Sequence, residues 1–247
     1  MKALIKHLLR LLGIRVTQTK FLKNLPRPNV DNIEIVVRLY SMMKQRITVL
    51  QIGACDGFTS DSIYPYVKAG DMNAYLVEPS KVNFKKLSEF YNSIGNAHLI
   101  QAAIADKDEK RMFYTIKDEG RWKDDGWARQ LASFYKEHLL KHNILESEIQ
   151  AEEVDCLTLK SIVKKYNIEN LDVLLIDTEG YDGEIVKMAL NDGVRPNFIA
   201  FENVQLVKNY NQKDLDNLYE RLATAGYVWT HDRINTMAIR KDFFATR

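Results

Sequence analysis

Short runs that are apolar on both faces constrain this chain more than any other feature. Five of them, "TVLQIG", "NAYLVEP", "AHLIQAAI", "DVLLID" and "NFIAFEN", stop abruptly at glycine or a polar or acidic residue. A strand wetted on one side alternates apolar with polar residues, whereas an unbroken run reads as a strand buried on both faces of a parallel sheet. Helical periods lie between most of the runs, at Ser60 to Val67, Lys81 to Tyr91, Leu157 to Tyr166 and Asp182 to Leu190. This alternation predicts an α/β fold, a doubly wound and mostly parallel sheet with helices on both faces.

Two departures from simple alternation stand out. Near the C-terminus, "QKDLDNLYERLATAG" reads as a helix with Gly226 at its end. "YVWT" and "TMAIR" then read as a terminal hairpin that adds an antiparallel strand. After the third run, "KRMFYTI" reads as an extra strand, followed by a long helical pattern, "WARQLASFYKEHLLKHNI". This insertion, about residues 106–153, precedes the fourth core strand, where such segments carry specificity. Residues 1–45 read as a helical appendage and residues 46–247 as the main domain.

Composition narrows the function classes. A hydrophobic share of 46% supports a real core, and a net charge of +2 gives no general drive toward nucleic acid. Cys55 and Cys156 are the only cysteines, too few for a disulfide framework, which fits a reducing, cytoplasmic setting. No run approaches the roughly 18 apolar residues of a membrane span. "MKALIKHLLRLLGIRV" lacks the unbroken apolar centre and cleavage site of a secretory signal. It reads as a basic amphipathic helix. Either it docks on its own domain, or residues 1–14 make peripheral contact with an anionic membrane.

In a doubly wound sheet, ligands bind beyond the carboxyl ends of the strands, where strand order reverses. The turn after Ile52 runs Gly53, Ala54, Cys55, Asp56, Gly57, so the GxGxxG spacing of a dinucleotide site is absent. Asp56 would set a negative charge where a pyrophosphate should rest, which argues against a nicotinamide dehydrogenase. S-adenosylmethionine carries a sulfonium and an ammonium in place of phosphates, and an acidic turn suits it on Coulomb grounds. The second run ends at Glu78, 21 positions beyond Gly57, where a carboxylate can accept hydrogen bonds from both ribose hydroxyls.

The chemistry of such a ligand is in-line methyl transfer, which for a hydroxyl acceptor also requires a base. Asp177 and Glu179 follow "DVLLI", and Glu202 follows "FIAF". One of these is the general base, or the three bind a divalent cation; the lack of an accompanying His weighs against a metal. In the insertion, Trp127, Ser133, Tyr135, His138 and His142 are spaced so that several share a helical face. His138 is a candidate acid or base. Trp127, Ser133 and Glu202 are candidate substrate contacts, with Trp127 as a wall for a sugar ring. The alternative is a packed aromatic face with two surface histidines.

Several blocks together resemble the FkbM-type family of S-adenosylmethionine-dependent methyltransferases, within the class I, Rossmann-like group. They are "QIGACDGFTSD", "LVEP", "QAAIAD" and "LDVLLIDTEGYDGEIVKM" followed by "FIAFEN", spanning roughly residues 49–203. The resemblance implies that Gly53, Asp56 and Gly57, with Ala54 in the same turn, line the methionine moiety. It also implies that Glu78 holds the ribose, that Ala103 and Ile104 lie against the adenine, and that Asp177 stands beside the cofactor. One departure is Gln51, where relatives often carry Asp. The implied activity is O-methylation of a carbohydrate or other small metabolite. The alternative is a catalytically silent cofactor-binding or membrane-peripheral protein.

Overall fold

The first apolar run folds as β1 (Ile47–Ile52), the centre of the fold. It pairs in parallel with β2 (Met72–Val77) on one side and with β8 (Val173–Ile176) on the other. The computed structural model describes Arg38, Tyr40, residues 46–59 and residues 61–244. The amphipathic stretch at residues 1–14, and most of the expected appendage, lie outside the described residues. The chain divides into two units after Asp31, and everything described here belongs to the second. Among the described residues no helix is long and apolar enough to cross a membrane.

The large sheet has seven strands, in the order β10-β11-β9-β8-β1-β2-β3. Here β3 is Ala97–Ile100, β9 is Phe198–Glu202, β10 is Tyr227–His231 and β11 is Asn235–Arg240. Strand β11 runs antiparallel to both of its neighbours, so the terminal hairpin reverses one strand, as the sequence predicts. Strand order turns at β1, with β2 on one side and β8 on the other.

Helices cover both faces because the strands alternate even where they read as unbroken runs. Leu50 and Ile52 join a core with α5 (Leu159–Lys165), α6 (Asp182–Asn191) and α8 (Gln212–Thr224). Ile47 and Val49 join another with α1 (Tyr64–Ala69) and α2 (Lys81–Tyr91). Tyr40 seals that second core, stacking on Phe243 and meeting Phe198 edge-on. Its hydroxyl donates to Asp172, which also accepts the Thr48 N–H at 2.8 Å. Gly226, just past α8, has φ +89°, a backbone that favours glycine, and starts the hairpin.

The structure corrects the sequence reading in the insertion. "AHLIQAAI" does not form one strand: β3 ends at Ile100, and Ala102 donates to the Ile100 carbonyl in a tight turn. Strand β4 (Ala103–Ile104) then enters a second sheet, of order β4-β7-β5-β6. Its other strands are β5 (Glu109–Ile116), β6 (Ala132–Ser133) and β7 (Ile149–Leu157). This sheet draws on residues 103–157, wider at both ends than the expected insertion. The long helix expected over residues 127–144 is broken into α3 (Gly126–Gln130) and α4 (Lys136–Lys141). Between them, β6 pairs with the edge of β5, Ser133 opposite Tyr114. Leu131, Leu139 and Ile144 thereby reach a small core with Ile116 and Ile149, which one straight helix would not allow. The helix expected from Ser60 starts at Tyr64, and Ser60 lies outside the described residues. A last short helix, α7 (Val204–Asn209), follows β9.

Candidate active site

A cavity of about 460 Å³ opens where the carboxyl ends of β1, β2 and β8 face the second sheet. That volume suits a small-molecule or cofactor ligand. Its floor is the glycine turn. Gly53 has φ +86°, and a Cβ there would come within 1.8 Å of the Asp177 carbonyl oxygen. Only glycine lets the ends of β1 and β8 approach this closely. The N–H groups of Gly53 and Ala54 both donate to the Val77 carbonyl, and Asp177 donates to Ile52, so three strand ends are knit together.

Glu78 lies at the end of β2, 5% exposed and inside the cavity wall. One carboxylate oxygen accepts the Cys55 N–H and the other the Ser80 N–H, both at 2.9 Å. It thereby links the glycine turn to the start of α2, where the Ser80 hydroxyl caps Asn83. Burial pushes the Glu78 carboxyl up to about 7, against the hydrogen bonds that hold it down.

Asp177 is open to the cavity. Desolvation within the cavity, reinforced by the Asp182 carboxylate, pushes its carboxyl up to about 6. Glu179 also lines the cavity, with φ +53° in a tight loop. Asp182 holds that loop from beneath, fully buried, accepting from the Thr178 N–H and hydroxyl, the Gly180 N–H and the Glu202 N–H. "IDTEGYD" thus splits into two carboxylates that face the cavity and one that anchors their loop.

The cavity gathers Gly53, Ala54, Glu78, Ala103, Ile104, Ser133, His138, Asp177 and Glu179 from the sequence candidates. Four others lie elsewhere. Asp56 turns inward, accepting from the N–H groups of Phe58 and Thr59 and from the Thr59 hydroxyl; its charge shapes the turn and does not face the cavity. Gly57 is packed against α2, where a Cβ would meet Leu87 and Tyr91. Trp127 sits on the outer side of the insertion, 46% exposed, beside the rings of Trp122 and His142. The expected shared helical face is absent because α3 and α4 are separate helices, although His138 and His142 do meet, ring centroids 5.0 Å apart. Glu202, at the end of β9, is separated from β1 by β8 and does not line the cavity, so the three strand-end carboxylates are not gathered. Among the described residues no group of three His, Cys, Asp or Glu side chains is placed to hold a metal ion.

The cavity also contains groups that sequence reasoning passed over, including Asp61, Phe113, Phe134, Lys141 and Tyr181. Asp61 was legible in principle, because an Asp just before a helix is a capping signal. Phe113 and Phe134 were not, since their placement depends on β5 and β6 pairing.

A parallel sheet with one reversed strand, an acidic cavity at its switch point and a glycine turn without a phosphate cradle define a class I, Rossmann-like methyltransferase fold. The sequence matches the model of the methyltransferase FkbM domain over residues 51–229, and the chain belongs to that family. No curated protein matches its sequence. Among solved structures it is similar to methyltransferase FkbM from Methylobacillus flagellatus KT, at 13% identity and TM-score 0.48, over 79% of this chain and 44% of that one. The chain therefore spans less than half the length of that protein. It is also similar to an O-methyltransferase from Bacillus cereus in complex with SAH (12% identity, TM-score 0.44, 97% of this chain and 91% of that one). A third is Aeropyrum pernix fibrillarin with natively bound S-adenosyl-L-methionine (12%, TM-score 0.40, 81% and 73%).

Proposed function

We propose that this chain binds S-adenosylmethionine in the cavity and transfers its methyl group to a hydroxyl of a carbohydrate or other small metabolite. The lining supports the cofactor on charge. Asp61, Glu78, Glu137, Asp177 and Glu179 face Lys141, the one Lys or Arg among the described lining residues. Such a cavity attracts a sulfonium and repels a phosphodiester, which argues against a nucleic-acid acceptor. When bound, the cofactor supplies an electrophilic methyl on sulfur.

This chain's residues do the rest. Beyond the Cys55 and Ser80 N–H groups and the Asn83 side chain that it already holds, Glu78 retains acceptor capacity for a ribose hydroxyl. Ala103 and Ile104 form an apolar wall suited to the adenine. Asp177 is the general base, taking the proton from the acceptor hydroxyl as the new C–O bond forms. Ser133 and His138 stand on the second-sheet side, where the acceptor enters.

The observation that carries this reading is the position of the Asp177 carboxylate, open to the cavity at the end of the strand next to the glycine turn, where desolvation pushes it up to about 6. A base must be unprotonated, so turnover should fall about tenfold per pH unit below about 6 and level off above it. The test is transfer of labelled methyl over a panel of sugars. Asp177→Asn should lose about a hundred- to ten-thousand-fold in rate, abolish the acid limb and keep cofactor affinity. Unchanged turnover would remove Asp177 from the mechanism and leave Glu179 and His138 as the bases to test. Activity regained with excess magnesium would make it a metal ligand instead.

A further inference from the structure

Sheet order separates the two ends of the cavity. Strand β1 is flanked on one side by β2, which leads to Glu78, and on the other by β8, which leads to Asp177 and the Glu179 loop. On the cofactor reading the nucleoside lies toward Glu78, Ala103 and Ile104, which leaves the β8 side for the acceptor.

Two aromatic side chains meet on that side. Tyr181 ends the loop after β8, and its carbonyl accepts the N–H groups of Glu184 and Ile185 at the start of α6. Phe134 directly follows β6 of the small sheet. Both line the cavity, with ring centroids 6.0 Å apart and planes at 78°, so the two rings form a corner between the sheets. Phe134 is held there by its neighbours. Phe113 meets it at 5.4 Å and 77°. The Arg111 guanidinium lies over its ring, 5.7 Å from the centroid, and is itself paired with Asp106 and Glu109. Arg111 does not line the cavity, and neither does Trp127, the ring wall expected from the sequence.

We propose that Phe134 and Tyr181 seat the ring of the acceptor, and that this ring is saturated and bears several hydroxyls, as in a pyranose. The inference rests on the methyl-transfer reading and names acceptor contacts of that same site. The C–H face of a pyranose is apolar and packs on an aromatic ring, while its rim carries hydroxyl donors. Glu137, Asp177 and Glu179 line the cavity, and ionised carboxylates accept such donors and offer none. A phenol brings one or two donors and leaves the other carboxylates unmatched, and an open-chain polyol brings donors without a rigid apolar face.

The test is transfer of labelled methyl from S-adenosylmethionine to methyl hexopyranosides, with glucitol and catechol as controls. The parent should methylate a pyranoside in preference to both. Phe134→Leu and Tyr181→Leu keep apolar volume and lose the flat face, so each should lower kcat/KM for the pyranoside about three- to tenfold. Tyr181→Phe, which keeps the ring, should recover most of the second loss. Calorimetry should show S-adenosylhomocysteine affinity unchanged in all three variants, which also establishes that they are folded. If Phe134→Leu melts early, the two Tyr181 variants carry the test. Unchanged kcat/KM in a folded Leu variant, an equal loss of S-adenosylhomocysteine affinity, or a parent that accepts glucitol or catechol as well as the pyranoside overturns the proposal and leaves the cofactor reading standing. A parent that binds S-adenosylhomocysteine and methylates no pyranoside overturns the carbohydrate acceptor as well; one that binds no S-adenosylhomocysteine overturns the cofactor reading itself.

Discussion

The large sheet and the small one both face the cavity, yet they hold their side chains in different ways. On the large sheet's side the groups are locked by backbone: Gly53 against Asp177, Glu78 by two N–H donors, and the Glu179 loop by the four donors that Asp182 accepts. On the small sheet's side, Ser133 sits in a two-residue strand and His138 in a six-residue helix. The outer surface there is held by exposed pairs such as Lys110–Glu153 at 3.4 Å, a kind of contact that contributes little. The contrast teaches a division of labour. On the proposed reading, the carboxylates that meet the cofactor are built into strand ends, whereas Ser133 and His138, on the acceptor side, sit in short elements of the kind that tolerate change.

The largest effect should come from the locked side. Gly53→Ala forces a Cβ into the Asp177 carbonyl at a positive φ, and neither strand end can yield alone. We expect a loss of at least about 3 kcal/mol, in the upper range for single substitutions, read from the urea midpoint. An unchanged midpoint would mean that the β1–β8 rim is not rigid. The smallest effect should come from the other side. Trp127→Ala removes a half-exposed ring and should cost about 1 kcal/mol, with S-adenosylhomocysteine affinity unchanged. A tenfold loss of affinity there would erase the contrast between the two sides.

The same contrast explains what was legible in the sequence. Strands β1, β2, β8 and β9 are buried on both faces, so composition alone marks them, and their abrupt ends point to Glu78 and Asp177. Strand β7, "IQAEEVDCL", was not legible, because its buried residues Ile149, Val154 and Cys156 fall out of strict alternation. Its acidic residues make sense only beside β5, where Lys110 stands opposite Asp155. The split of "AHLIQAAI" depends on which sheet each half joins, and no local signal carries that. Asp56 was placed by its charge and by the family resemblance, whereas its carboxylate is taken up by the hydrogen bonds of its own turn.

The central claim is that this acidic cavity is built for a sulfonium nucleoside and not for a phosphate-bearing one. Calorimetric titration of the full chain with S-adenosylmethionine, S-adenosylhomocysteine, NAD and ATP tests it directly. The carboxylates that line the cavity, with Lys141 as the one Lys or Arg among its described lining residues, predict that S-adenosylmethionine and S-adenosylhomocysteine bind and that NAD and ATP do not. If NAD or ATP were the better ligand, the assignment of the cavity, and with it the methyl-transfer mechanism, would be contradicted.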